Sequence, residues 1–212
     1  MVDGGLLLEI YTVDSMLMMD DDSSMSWIDV RPAAAFIRQC LKQSHNLPYQ
    51  KDTPIPQAWQ SKPIVVVGPA GIIARRAAES WRSQGHLVAG YVDEPFGRLV
   101  QEIPQHRFHG ATVLSPEALS SWNGTLLDVR LKNDARSGTI AGSVWIPLPE
   151  LQHAIGALSR EKPVLTYCNS GSKALEAAAK LLSAGFLDVS VIAQGGMENW
   201  YRQGRPTEVC CE

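Results

Sequence analysis

The feature that most constrains this fold is an internal repeat with a period near 100 residues. Ile28-Asp29-Val30-Arg31 returns 99 positions later as Leu127-Asp128-Val129-Arg130, and Asn46-Leu47-Pro48 parallels Trp145-Ile146-Pro147 at the same offset. Lys62-Pro63 returns as Lys162-Pro163 at an offset of 100. At that offset Gly71, Ala74, Ala77, Ala78, Ser83, Gly85 and Leu87 recur as Gly171, Ala174, Ala177, Ala178, Ser183, Gly185 and Leu187. One residue of drift is what divergence after a duplication leaves. A period of this length is a domain and not a solenoid repeat. The 212 residues therefore read as two tandem copies of one fold, over 8–103 and 110–207. The turn-rich stretch from Pro104 to Gly110 reads as their linker.

Each copy alternates short apolar strands with amphipathic helices. In the second, Thr125–Val129, Val164–Tyr167 and Val189–Ala193 are strand candidates; their near-continuous apolar character suits strands covered on both faces. Ser172–Ala184 spaces Leu175, Ala178, Leu181 and Leu182 as a helix does, and Gly185 falls where a left-handed C-cap belongs. Ser115-Pro116-Glu117 has the cap, proline and acid that open a further helix. The alternation predicts an α/β fold, each copy a mainly parallel sheet flanked by helices.

Composition narrows the function. The chain is 45% hydrophobic and 19% charged, too apolar for disorder, and its net charge of −3 argues against a nucleic-acid or membrane-surface role. Apolar runs such as Ile64–Val67 fall far short of the ~20 residues a membrane span needs. The N-terminus has no basic region and turns acidic at Asp20-Asp21-Asp22, unlike a secretory signal. Cys40, Cys168, Cys210 and Cys211 show no disulfide-framework spacing, and a reducing, cytoplasmic setting is expected.

The chemistry concentrates where the strand Val164–Tyr167 runs into Cys168-Asn169-Ser170-Gly171-Ser172-Lys173 and then a helix. Ligands of open α/β sheets bind beyond the carboxyl ends of the strands, where this loop falls. Backbone N–H groups, the positive end of the helix dipole and Lys173 all favour a thiolate at Cys168. Gly171 permits a tight anion-cradling turn, and Asn169, Ser170 and Ser172 add small hydrogen-bonding side chains. The competing reading is an inert core cysteine.

These residues resemble the rhodanese family of sulfurtransferases. The resemblance runs through Leu127-Asp128-Val129-Arg130, Gly138 to Ser143, Ile146-Pro147-Leu148 and Lys162 to Cys168 with its loop. It ends with Gly195-Gly196-Met197, Trp200, Gly204 and Pro206, and so covers residues 110 to 207 in order. It implies a persulfide enzyme with no cofactor or metal: Cys168 takes the sulfane sulfur of a donor such as thiosulfate, holds it as a persulfide, and passes it to a thiol, cyanide or protein acceptor. Two easier steps would replace one hard encounter. Asn169, Ser170, Gly171, Ser172 and Lys173 would bind substrate, with Asp128 and Arg130 as a supporting network under the loop. No nucleic-acid or membrane partner is implied. Where the family carries Gly-His-Ile, this chain has Gly138-Thr139-Ile140. Where the long thiosulfate and mercaptopyruvate enzymes place a donor-gripping arginine, it has Asp134, as short rhodaneses have an acid. The first departure costs a structural histidine and not a catalytic one; the second, with a single lysine in the loop, points away from thiosulfate as the physiological donor.

The first copy has Gly68 at the cysteine position and Pro95-Phe96 near the place of the Gly-Gly pair, so it reads as catalytically silent. Cys40 lies outside the loop and reads as core; Cys210-Cys211 reads as a mobile tail. His106 and His109 have HxxH spacing but no acid or cysteine cluster nearby, which favours a solvated linker over a metal site. Met16, Met18, Met19 and Met25 read as core or surface loop. Two alternatives remain: a non-catalytic rhodanese-like binding or regulatory module, suggested by the silent copy, and a phosphatase or arsenate reductase. Phosphatases of this fold carry a longer loop with His before the cysteine and Arg at its end; here Tyr167 precedes Cys168.

Overall fold

A computed structural model describes residues 7–19, 24–50 and 53–209. The chain forms two compact units. One comprises the described residues through Pro32 together with Leu41–Phe108, and the other Ala33–Cys40 with the residues from His109 onward. Each unit is built on a five-stranded sheet in which every pairing is parallel.

The first sheet contains β1 (Glu9–Tyr11), β2 (Ser26–Asp29), β3 (Ser44–Asn46), β4 (Ile64–Val67) and β5 (Val88–Val92), in the order β1-β5-β4-β2-β3. The second contains β6 (Thr112–Leu114), β7 (Thr125–Asp128), β8 (Val144–Trp145), β9 (Val164–Tyr167) and β10 (Val189–Ile192), in the order β6-β10-β9-β7-β8. Adding five to each strand number turns one order into the other, so the repeat in sequence is a repeat in topology. The α/β reading holds for both copies.

The central strand β9 is buried at every position, as a parallel strand covered on both faces must be. Its side chains alternate: Val164 and Cys168 join the cluster on the face of the helix Ser172–Ser183, while Leu165 and Tyr167 join the cluster around Met197 and Trp200. The helix buries Ala174, Ala177, Ala178, Leu181 and Leu182 on one stripe. It ends as the sequence predicts. Gly185 takes φ +83°, its N–H reaches the Leu182 carbonyl at 2.9 Å, and the Phe186 N–H reaches Leu181 at 3.1 Å. Those two bonds satisfy carbonyls that a helix end otherwise leaves open. The helix Gly71–Ser83 of the first copy ends the same way at Gly85 and His86.

Three local expectations fare differently. Ser115-Pro116 opens a short 3-10 segment, Pro116–Ser120, and not an α-helix; Ser115 makes no cap bond to the backbone. Its hydroxyl instead bonds the exposed Glu117 carboxyl and holds that group below its ordinary value. The expected linker is structured: Gln105–Arg107 is a 3-10 turn, Phe108 is buried, and the ring nitrogens of His109 are shielded from solvent, unlike those of a solvated linker. Cys40 is a core residue, fully buried with Phe36 and Ile37 in the cluster that holds Leu181 and Phe186. Met16 is core and Met18 exposed. Cys210-Cys211 and Asp20-Asp21-Asp22 lie outside the described residues. Among the described residues no helix is long and apolar enough to cross a membrane.

Candidate active site

Cys168 follows the last residue of β9 and is 2% exposed. Its loop is shaped from outside. The Met197 N–H donates to the Cys168 carbonyl at 2.9 Å, the Gly195 N–H to the Ser170 carbonyl at 3.0 Å, and the Glu198 N–H to the Asn169 carbonyl at 3.4 Å. Three consecutive loop carbonyls are thus drawn toward the start of the helix Gly196–Arg202. With its carbonyls held there, the loop turns an N–H group to the sulfur: Gly171 donates to Sγ of Cys168 at 3.1 Å.

Two glycines make this possible. Gly171 has φ +119°, and a Cβ built on it would stand 1.9 Å from the Ala193 carbonyl oxygen. A Cβ on Gly196 would stand 2.2 Å from the carbonyl oxygen of Cys168 itself. Backbone meets backbone at both places, and no side chain fits between.

The loop opens into the helix Ser172–Ser183, which has no acidic residue in its first turn. Lys173 occupies that turn and is half-buried. A cation there opposes the helix dipole. Asn169 is half-buried, and Ser170 and Ser172 are exposed at the loop's rim. The structure brings all six expected loop residues into one turn. Among the described residues no group of three or more His, Cys, Asp and Glu is placed to hold a metal.

Asp128, in register with Tyr167 at the end of β7, and Arg130 just beyond it are 0% and 1% exposed. The guanidinium grips the carboxylate through Nε at 3.0 Å and Nη2 at 2.7 Å. Its remaining donors reach the Gly138 carbonyl at 2.7 Å, the Asp134 carbonyl at 3.1 Å and the Tyr201 hydroxyl at 3.2 Å. Burial opposes the charge on Arg130, but Asp128 outweighs it and the guanidinium is held above its ordinary value. With its donors committed, Arg130 has none to offer a substrate. Tyr167, beside the cysteine, points to the opposite face of the sheet, where the Ile140 N–H reaches its hydroxyl at 3.4 Å. Burial, and then the nearby Asp128 carboxylate, raise the phenol above its ordinary value and keep it neutral.

The first copy preserves the frame and lacks the device. Arg31 grips Asp29 at 2.6 Å, and Asn46 bonds the Arg31 carbonyl at 2.8 Å as Trp145 bonds that of Arg130 at 2.9 Å. Burial raises the Asp29 carboxyl, and Arg31 partly offsets it. At the cysteine position Gly68 offers no nucleophile. At the clamp, Pro95 has no N–H to donate, and Phe96 carries a side chain where the second copy needs Gly196. That side chain lies instead against the Arg31 guanidinium, 3.2 Å from carbon to ring centre.

The loop glycine, the cysteine and the lysine were legible in sequence as a helix start. On the donor side of the clamp, Gly195 and Met197 were read only as part of a resemblance and Glu198 not at all; their own signal is an adjacent glycine pair between a strand and a helix. Tyr201 carried no signal, since its partners are distant in sequence.

The site is thus a cysteine at the carboxyl end of a central parallel strand of an α/β domain, in a turn whose Gly171 N–H donates to its sulfur. The rhodanese-like domain family matches the chain twice, over residues 12–95 and 116–203, together well over half of its length. The chain belongs to this family and carries two rhodanese-like domains in tandem. A sulfurtransferase of Allochromatium vinosum is 27% identical over 81 residues, covering 38% of this chain and 75% of that protein. Thiosulfate sulfurtransferase GlpE of Pseudomonas fluorescens is 31% identical over 93 residues, covering 44% of this chain and 84% of that one. The crystal structure of a thiosulfate sulfurtransferase from Pseudomonas aeruginosa aligns with 95% of this chain at 19% identity and a TM-score of 0.39; the alignment spans 43% of that protein.

Proposed function

We propose that the chain is a sulfurtransferase that carries sulfur on Cys168. The thiolate attacks the outer sulfur of a sulfane donor. The sulfur–sulfur bond of the donor breaks, its electron pair leaves with the remainder (sulfite, when the donor is thiosulfate), and Cys168 becomes a persulfide anion. A nucleophilic acceptor (a thiol, cyanide or a protein thiolate) then takes the outer sulfur and returns the thiolate. No outside oxidant or reductant enters either step.

The observation that carries this reading is the Gly171 N–H aimed at Sγ while the Cys168, Asn169 and Ser170 carbonyls are bonded elsewhere. A preorganised donor stabilises negative charge on sulfur without reorganising during the reaction. Lys173 adds a formal charge in the same turn. Sulfurtransferase relatives on both the sequence and the family side support the class of reaction. The loop's single lysine, with Asp134 at the position where the long thiosulfate enzymes carry a donor-gripping arginine, favours donors carrying less charge than the thiosulfate dianion.

Steady-state transfer from thiosulfate to cyanide tests the reading. Cys168→Ser abolishes turnover and Cys40→Ser retains it; turnover retained in Cys168→Ser would overturn the assignment.

A further inference from the structure

The hydroxyl of Tyr201 stands at a junction that the reaction itself does not require. It accepts from Nη1 of Arg130 at 3.2 Å and donates to the Gly138 carbonyl at 3.1 Å, the same carbonyl that Nη2 of Arg130 reaches at 2.7 Å. Tyr201 lies near the end of the helix Gly196–Arg202, whose first turn holds the cysteine loop. One short helix is therefore fastened at its far end to a buried ion pair and at its near end to the Cys168 carbonyl.

The segment that receives Tyr201 also touches the strand entering the loop. Two residues after Gly138, the Ile140 N–H reaches the hydroxyl of Tyr167, the immediate neighbour of Cys168. Between them Thr139 makes a reciprocal backbone pair with Glu208, at 2.8 and 2.9 Å. Both supports of the cysteine loop, the strand from one side and the capping helix from the other, thus converge on Gly138–Ile140.

We propose that Tyr201 is a positioning residue for Cys168: through the Asp128–Arg130 pair and Gly138 it sets the helix Gly196–Arg202 so that its first N–H groups hold the loop carbonyls away from the sulfur. Tyr201 as a residue is 40% exposed and belongs to no buried cluster. Its hydroxyl receives a bond from a charged donor, stronger than a bond between neutral groups. The helix is seven residues long, so its two fastened ends are only about 10 Å apart and joined by one short run of backbone. The proposal takes Cys168 as the reacting atom, as in the function proposed above, but its test needs no turnover.

Amide hydrogen exchange of the full chain, compared between the parent and Tyr201→Phe, reads the clamp directly. The substitution keeps the ring and removes only the hydroxyl. Exchange at Gly195, Met197 and Gly171 is expected to rise by roughly fivefold, the scale of one hydrogen bond lost from a local opening equilibrium. Amides of β9 and of the helix Ser172–Ser183 below its first turn should keep the parent's rates. Unchanged exchange at the three amides would overturn the proposal. So would an equal rise across the whole second sheet, which marks general destabilisation and not positioning. Either result leaves the sulfurtransferase reading to be judged by the Cys168→Ser assay alone.

Discussion

Replacing Gly171 by alanine tests the geometry of the cysteine turn at its tightest point. The added Cβ would lie 1.9 Å from the Ala193 carbonyl oxygen and 2.2 Å from its carbon, both backbone atoms. The loop and the Ala193 segment must part by about 1.5 Å before these become ordinary contacts. Gly171 also sits at φ +119°, which an L side chain resists by roughly 1–2 kcal/mol. A displacement of that size carries the Gly171 N–H, now 3.1 Å from Sγ, beyond bonding distance. Misplacement by about 1 Å at a reacting centre costs on the order of a hundredfold in rate. Thiosulfate–cyanide turnover should accordingly fall about a hundredfold, while the thermal midpoint drops by only several degrees for a loss of roughly 1–2 kcal/mol. A variant that melts lower yet turns over within threefold of the parent would refute the claim that this backbone donor matters to the chemistry.

Restoring a cysteine to the silent copy should not restore activity. Gly68→Cys in the Cys168→Ser background places a Cβ 3.0 Å from the Ala74 nitrogen, and Pro95 and Phe96 still withhold the N–H clamp; turnover above background would show that the clamp is dispensable. Tyr167 predicts an alkaline loss of stability. Its folded-state value is raised above the ordinary 10.0, so the unfolded phenol ionises first. The stability it confers is complete below that ordinary value and is lost as pH rises through the folded-state value. The slope should approach about 1.4 kcal/mol per pH unit, and Tyr167→Phe should remove that one-proton contribution. Chemical denaturation of both proteins just above pH 10 checks this, and superimposable slopes would contradict it.

What was legible in the sequence was written in local patterns. The duplication, the mainly parallel sheets and the two long helices follow from repeated blocks, short apolar runs, helical stripes of alanine and leucine, and glycines just past the helix ends; the order of the strands does not. Gly85 and Gly185 show how direct that reading is, because a left-handed C-cap has a residue preference of its own. The Cys168 turn was legible for a similar reason, being a strand end and a helix start joined by a glycine. The clamp was harder to see. It is made of backbone N–H groups near residue 196, and a backbone donor leaves no trace in composition except the glycines that let it approach. Ala33–Cys40 was illegible in another way. Its side chains suit any apolar core, and nothing in their pattern shows that Phe36, Ile37 and Cys40 pack with Leu181 and Phe186. Ser115-Pro116 carries sound start signals, but the segment ends after one short 3-10 turn because Trp122 and the polar residues around it do not continue an apolar stripe. Tyr201 illustrates the remaining case, a polar network assembled from segments far apart in the chain.

The central claim is that sulfur is carried on Cys168. Intact-protein and peptide mass spectrometry after brief exposure to thiosulfate, with free donor removed, tests it most directly. The peptide containing Cys168 should gain one sulfur atom, the peptide containing Cys40 none, and the added mass should be lost when cyanide is supplied. An unmodified Cys168, or a sulfur adduct that cyanide does not discharge, would contradict it.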